Sequence, residues 1–194
     1  MTTGRKSPGR PRTKPAEQRR EDLMDSAQRL FLDQGFAATT IERIALTAGV
    51  AKGTFYLYFH SKDDVRAALG ERFARRHLAH MREAVEAHSG PDGAAMLGAW
   101  AEATVAFYLD SLAVHDMLFF EAGVPTREGL VDTLVTDHLT GLLPGPETEA
   151  RALAVFLFSG VHALVDDAIL REKTVDRDSL ARRAKQLCLR AAGL

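Results

Sequence analysis

The stretch from residue 40 to residue 62, TIERIALTAGVAKGTFYLYFHSK, constrains the fold of this chain more than any other segment. Thr40 can cap a short helix through its hydroxyl group, and apolar residues such as Ile44 follow at helical spacing. Gly49 then supplies a residue that tolerates positive φ, as a tight turn between two helices requires. A short helix followed by such a turn is the first half of a helix-turn-helix.

A second short helix is predicted from about residue 52 to residue 58, with Phe55 and Phe59 facing inward. Its outer face carries hydroxyl groups, a positive charge and a glycine that allows close backbone approach. Such a face suits the phosphate-lined major groove of DNA, although an αα-hairpin with an incidentally polar face fits the same spacing. The candidate DNA-binding residues are Thr40, Arg43, Lys52, Gly53, Thr54, Tyr56, Tyr58 and Lys62.

The order of residues in this segment resembles a family signature. GVAKGTFYLYFHSKDD, preceded by TIERIALTA, resembles the DNA-binding signature of the TetR family of bacterial transcriptional regulators, without a gap from residue 39 to residue 64. The rest of the chain resembles that family only in length and helical layout. The resemblance implies a homodimer that binds a double-stranded operator, and not an enzyme. It also implies that Lys52, Gly53 and Arg43 touch base edges, and we expect Lys62 to clamp a phosphate.

Charge is distributed unevenly along the chain. Residues 1–62 contain 11 Lys or Arg against 6 Asp or Glu, a net charge of +5, whereas residues 63–194 have a net charge of −6. A basic N-terminal part followed by an acidic remainder is expected of a protein that binds a polyanion at one end. We therefore divide the chain into a disordered basic tail (1–16), a helix-turn-helix DNA-binding domain (17–62) and an effector-binding and dimerisation domain (63–194).

The basic tail contains a second possible contact with DNA. The run PGRPR at residues 8–12 resembles the core of extended arms that lie in a narrow, A·T-rich minor groove. Arg10 and Arg12 would then enter that groove. A tail that only increases solubility has the same composition.

Helical periodicity and the positions of proline and glycine predict an all-α fold of about nine helices. All seven prolines fall at predicted breaks, and no segment shows the sustained alternation of a strand. The first helix is expected at 17–34, and a long fourth helix from 62 to about 88 should span the basic N-terminal part and the acidic remainder. The later helices are expected at about 93–110, 112–122, 126–142, 147–171 and 176–192.

The middle helices contain a possible binding pocket. Trp100, Thr104 and Tyr108 share one helical face, and with neighbouring apolar residues they could line a cavity or simply fill the core. The family resemblance implies that effectors bind between helices in this region. The candidate pocket residues are Met96, Trp100, Thr104, Tyr108, Met117, Phe120, His138, His162 and Asp166. His77 and His80, on the fourth helix, are interpreted as surface or rim residues and not as ligands.

Polar residues on the predicted helix at 147–171 allow two further interpretations. His162 and Asp166 could be metal ligands, and with Ser159 they could form a hydrolytic triad. The sequence has no nucleophile elbow and no oxyanion-hole signature, and one helix rarely provides the geometry of a triad. We therefore interpret them as hydrogen-bonding groups of a pocket or interface, and we expect no metal and no other cofactor.

The last two helices are the candidate dimer interface. The run from residue 153 to residue 165 is apolar nearly all round, which predicts a helix buried on every side. In the family, the final two helices pack against their symmetry mates as a four-helix bundle. The candidate interface residues are Phe156, Gly160, Ala163, Leu180, Ala184, Leu187 and Cys188.

These features together predict a cytoplasmic, ligand-responsive repressor. The N-terminus has no apolar signal region, no apolar run reaches about 18 residues, and the single Cys188 cannot form an internal disulfide. As a dimer the protein would bind a pseudo-palindromic operator, and a small hydrophobic or amphipathic effector would release it. The alternative is a ligand-independent architectural or activating DNA-binding protein.

Overall fold

The computed structural model describes residues 15–88, 90, 92–119, 130–172 and 174–194. These residues form eight α-helices and no strand, which confirms the predicted all-α fold. They fall into two compact units, divided between Lys62 and Asp63. The helices are α1 (Ala16–Gln34), α2 (Ile41–Thr47), α3 (Lys52–Phe55), α4 (Lys62–Glu86), α5 (Gly93–Phe119), α6 (Leu130–Thr140), α7 (Glu147–Arg171) and α8 (Arg177–Ala192).

The first unit is built from α1, α2 and α3, with α2 in contact with both of the other helices. Its core consists of side chains that are at most 8% exposed: Leu23, Met24, Ala27, Leu30, Phe31, Ile44, Ala45, Phe55 and Phe59. Gly35 ends α1 with a φ of 82°, and Gly49 turns the chain after α2 with a φ of 71°. Both glycines therefore adopt the left-handed backbone that the turns require.

Residues 52–59, which we call the recognition segment, contain less α-helix than predicted. α3 ends at Phe55, three residues before the predicted end at residue 58. Beyond it, the backbone N–H of Leu57 donates to the Thr54 carbonyl at 3.2 Å, and that of Tyr58 donates to the Phe55 carbonyl at 2.9 Å. The segment thus continues as tight turns with i to i+3 hydrogen bonds, which still bury Phe59.

The second unit contains the long helices α4, α5 and α7 together with α6 and α8. α5 packs against α7 and α8, and α7 also packs against α6 and α8. The predicted break near residue 111 is wrong, because α5 continues to Phe119. The hydroxyl of Ser111 donates to the Phe107 carbonyl one turn earlier, so this polar residue is satisfied within the helix. The described residues therefore contain eight helices where about nine were expected.

α7 has the predicted bounds but is not buried on every side. Val155 is 46% exposed and Phe156 is 68% exposed, so an apolar stripe of this helix faces outward in the single chain. By length and composition alone α7 could cross a membrane, since its mean hydropathy over 18 residues reaches 1.8. It packs against three helices, as a core helix of a helical domain does.

Candidate functional site

The helix-turn-helix has an exposed polar face, and buried aromatic side chains lie beneath it. Thr40 caps α2, its Oγ1 accepting a hydrogen bond from the Arg43 backbone N–H at 3.2 Å. Phe55 is fully buried and its ring lies 5.8 Å from that of Phe59, which fixes the recognition segment against the core. Of the predicted DNA-binding side chains, Thr40, Arg43, Lys52 and Tyr56, with Gly53, are exposed, whereas Thr54, Tyr58 and Lys62 are half-buried.

An ion pair that the sequence did not predict lies on this face. The Lys52 ammonium donates to the Glu42 carboxylate, which joins the exposed side of α2 to the first residue of α3. This hydrogen bond lowers the pKa of Glu42 and raises the pKa of Lys52, so both groups are ionised at neutral pH. A candidate base-contacting lysine is therefore held by a carboxylate in the absence of DNA.

Lys62 is held by the protein itself. Its Nζ donates to the carbonyl of Phe36 at 2.7 Å and to that of Ala37 at 3.3 Å. The same Nζ lies 4.6 Å from the centre of the Phe36 ring, a cation–π contact. This placement does not support the predicted phosphate clamp. Lys62 instead fixes the connection between α1 and α2.

The second unit contains a group of aromatic rings in mutual contact that we call the histidine cluster. Its centre is His77, which is only 1% exposed, so its interpretation as a surface residue was wrong. The His77 ring is parallel to that of Phe107, with ring centres 4.5 Å apart. The members, joined by ring contacts, are Phe73, His77, Phe107, Tyr108, His115, Phe119, Phe158 and His162.

His77 is a buried polar group that has no hydrogen-bond partner. Both ring nitrogens are inaccessible to solvent and neither is paired in the structure. Burial, together with the nearby His162, His80 and His115, lowers the pKa of His77 to about 3. The imidazole is therefore neutral near pH 7, with one N–H donor and one acceptor unused.

Tyr108, His162 and Asp166, three of the predicted pocket residues, lie close together. The Tyr108 hydroxyl donates to Asp166 at 2.6 Å, and burial together with this bond raises the pKa of Tyr108. His162 Nδ1 lies 2.9 Å from the Phe158 carbonyl, so this nitrogen donates to the backbone. Among the described residues, no three His, Cys, Asp or Glu side chains are placed to hold a metal ion.

The other predicted pocket residues have different surroundings. Trp100 and Thr104 are fully buried, and the Thr104 hydroxyl donates to the Trp100 carbonyl at 2.8 Å. Met117 is also buried and Met96 is half-buried. On α6, burial lowers the pKa of His138, and the nearby Arg82 adds to this effect. Phe120, Arg10 and Arg12 lie outside the described residues.

An apolar groove of about 460 Å³ runs between α7 and α8. Of the predicted interface residues, Phe156, Gly160, Ala163 and Leu187 are exposed. Leu180, Ala184 and Cys188, which were also predicted for the interface, are at most 2% exposed in the single chain. Ala184 and Cys188 form part of the groove floor, because α8 turns this stripe toward its own chain. Burial raises the pKa of Cys188 to about 11, so its thiol stays protonated.

Comparison with known proteins agrees with this arrangement. A family described as "Bacterial regulatory proteins, tetR family" matches residues 23–69, which contain the helix-turn-helix. The HTH-type transcriptional regulator TtgR of Pseudomonas putida is 26% identical over 183 residues, which cover 83% of this chain and 85% of TtgR. The helix-turn-helix of this chain thus matches the TetR family, and the relatives compared here are transcriptional regulators.

Two further similarities show where the family resemblance is strong and where it concerns only the fold. The uncharacterized HTH-type regulator YerO of Bacillus subtilis is 36% identical over 73 residues, which cover 38% of this chain and only 25% of YerO. The structure of FadR from Bacillus subtilis in complex with stearoyl-CoA has a TM-score of 0.66 at 17% identity, and the match covers 88% of this chain and 98% of FadR. The TetR-family fold thus extends over both units, while the higher identity is confined to part of the chain.

Two functional candidates were missed from the sequence. His77 follows Phe73 and precedes Met81 at intervals of four residues, so the periodicity of α4 could have placed it on the inward face. Glu42 is ten residues from Lys52, and no helical spacing relates positions on two different helices. Only the turn at Gly49, folded in three dimensions, brings that pair together.

The first prediction tests the contacts of Lys62. Replacement by Met keeps an unbranched side chain but removes the cation over Phe36 and the donors to two carbonyl groups. We expect the free energy of unfolding to fall by about 1–2 kcal/mol, measured by urea denaturation followed by circular dichroism. Lys52→Met, at an exposed position, should stay within about 0.5 kcal/mol of the wild type. Equal stabilities of both variants would show that the Lys62 contacts are unimportant.

The second prediction concerns acid stability and His77. Between a pKa near 6.5 in the unfolded chain and one of about 3 in the folded chain, only the unfolded chain binds the proton, so stability is lost as the pH falls. His77→Phe removes this loss. Relative to the wild type, the variant should gain about 2–3 kcal/mol in free energy of unfolding between pH 7 and about pH 4.5. The exposed His80→Phe is the control, and a pH-independent difference for His77→Phe would contradict the prediction.

Proposed function

We propose that this protein is a dimeric, ligand-responsive transcriptional repressor of the TetR family. It binds a pseudo-palindromic operator in the cytoplasm and is released by a small hydrophobic or amphipathic effector. The observation that carries the proposal is the exposed face of the recognition segment. This face carries Lys52, Gly53 and Tyr56, and the buried Phe55 holds it against the core. A cation, a close-approaching backbone and a hydroxyl are the groups with which a recognition helix contacts DNA.

In this proposal the first unit reads the operator. Lys52, Gly53 and Arg43 contact base edges, because a lysine or arginine can bond to guanine O6 and N7 in the major groove. The hydroxyls of Thr40, Thr54, Tyr56 and Tyr58 bond to phosphates and set the position of the helix. Lys62 acts indirectly by fixing the chain between α1 and α2. Arg10 and Arg12 are proposed to extend the contact into the minor groove.

Dimerisation is assigned to the outward stripe of α7 and the adjacent part of α8. Phe156 and Leu187 are 68% and 54% exposed beside the groove, and large apolar side chains grouped on a surface mark an interaction site. A second copy of the same stripe would cover them about a two-fold axis. Such a dimer would place two recognition segments about 34–36 Å apart, which is one turn of DNA.

The effector is proposed to bind in the second unit, at the histidine cluster. Buried polar groups without partners are rare in folded proteins and are candidates for contacts with a ligand. Both ring nitrogens of His77, at the centre of the cluster, are such groups. The FadR complex with stearoyl-CoA supports ligand binding within this fold. A coupling free energy of about 1–3 kcal/mol between effector binding and operator binding would lower operator affinity roughly 5- to 150-fold.

The third prediction concerns the ion pair on the DNA-reading face. Glu42→Gln frees Lys52 to neutralise a phosphate, so binding to duplexes of unrelated sequence should tighten roughly 2- to 5-fold. The slope of log affinity against log salt should become steeper by about 1. Asp33→Asn, which removes an exposed carboxylate on α1, is the matched control. If both variants gain the same affinity for DNA, the change in net charge explains the result and the ion pair does not.

Footprinting tests the proposed function against a ligand-independent architectural or activating role. The purified protein is footprinted on its selected operator with and without an extract of the source cells. Loss of protection in the presence of the extract is expected of a ligand-released repressor. Protection that persists in every extract favours the ligand-independent alternative.

A further inference from the structure

The centre of the histidine cluster combines flat apolar surfaces with unused hydrogen-bonding groups. His77 is stacked on Phe107, and its ring centre lies 6.3 Å from Phe73 and 6.2 Å from Phe158. The ring of His162 lies 6.3 Å away, and both nitrogens of His77 are buried without a hydrogen-bond partner. Phe107, His115 and Phe119 are only half-buried and form the outer part of the cluster, through which a small molecule could reach His77.

We propose that His77 is the hydrogen-bonding anchor for an uncharged aromatic ligand that carries a hydroxyl group. This inference rests on the proposed effector site and names the class of its ligand. A hydroxyl both donates and accepts, so it can pair with either nitrogen of a neutral imidazole. A flat ring can take the offset or edge-on arrangements that aromatic side chains favour.

Charge disfavours an acidic ligand at the same position. The cluster as described contains no Lys or Arg, and the Asp166 carboxylate lies within hydrogen-bond distance of the Tyr108 hydroxyl. Because burial and the neighbouring histidines keep His77 uncharged, it cannot act as a counter-ion for a carboxylate. A buried anion without a paired cation is strongly destabilised. The hydroxyl-bearing ligand avoids this cost.

The test uses four probes and the full-length protein. The affinities of 2-naphthol, its methyl ether, 2-naphthoate and stearoyl-CoA are measured by calorimetry. We expect the wild type to bind 2-naphthol at least about 10-fold more tightly than either the ether or the carboxylate, because only the phenol can donate to His77. His77→Phe should bind the phenol and the ether equally, and its midpoint of thermal unfolding should rise. His80→Phe, one turn further along α4 and exposed, should keep the wild-type preference.

The possible outcomes separate this inference from the proposed function. Equal binding of phenol and ether by the wild type overturns the inference without the use of any variant. So does a preference for the phenol that survives in His77→Phe, or failure of all the naphthalene probes to bind. If stearoyl-CoA is the only probe that binds, the inference of a hydroxyl-bearing ligand is wrong, but the proposed ligand-responsive regulator is not contradicted. The proposed function itself fails only if operator binding responds to no ligand.

Discussion

Phe156→Glu is expected to convert the proposed dimer into single chains at micromolar concentration. Phe156 is the most exposed aromatic side chain beside the groove between α7 and α8. Aromatic residues at the centre of an interface contribute about 2–4 kcal/mol or more, so the dimer dissociation constant should rise roughly 30- to 1,000-fold. Sedimentation equilibrium measures this constant, and binding to the selected operator should weaken in parallel because both half-sites are needed.

Leu32→Glu is the matched control for the dimer. It makes the same change from an apolar to an acidic side chain at a 44% exposed position on α1, in the first unit. This variant should dimerise like the wild type. If Phe156→Glu also dimerises like the wild type, the outward stripe of α7 is not the dimer interface. The apolar run predicted to be buried on every side then needs another explanation.

Phe55→Ala is expected to unfold the recognition segment and abolish DNA binding. The side chain is fully buried, and truncation of a core phenylalanine costs about 3–5 kcal/mol. That loss is comparable with the total stability of many small domains, which is about 5–15 kcal/mol. Phe55 also carries the ring contact with Phe59 that holds the turns after α3. Far-UV circular dichroism should therefore show a loss of helix before the main transition.

Fluorescence tests whether this effect is confined to the first unit. Trp100 is the only tryptophan of the sequence and is buried in the second unit, so its emission reports that unit alone. In Phe55→Ala the Trp100 transition should keep its wild-type midpoint. Leu57→Ala, two residues away and 78% exposed, should leave both signals unchanged. A shifted Trp100 transition in Phe55→Ala would show that the two units unfold together.

The helix-turn-helix could be predicted from the sequence because its information is local. A cap at Thr40, a turn at Gly49 and an aromatic pair four residues apart all act within a short segment, and the structure contains each of them. The contacts of Lys62 could not be predicted in this way. They join side-chain and backbone groups 26 and 25 residues apart, and nothing in the local pattern indicates which groups meet.

The second unit was predicted less completely for the same reason. The bounds of α7 follow from proline and from apolar composition, but composition does not say which face a neighbouring helix covers. Phe156 and Leu187 therefore looked equivalent to Leu180 and Cys188 until the packing of α8 separated exposed from buried positions. His77 was misassigned because histidine is usually polar and exposed, whereas its spacing from Phe73 pointed inward.

Selection of DNA by the purified protein tests the central claim most directly. A pool of random duplexes is bound at moderate salt, the retained DNA is sequenced, and the stoichiometry on one selected duplex is measured. The account predicts an inverted repeat whose half-sites are centred about one helical turn apart and which is occupied by two chains. Enrichment of an asymmetric site that binds one chain, or no enrichment even at low salt, would contradict it.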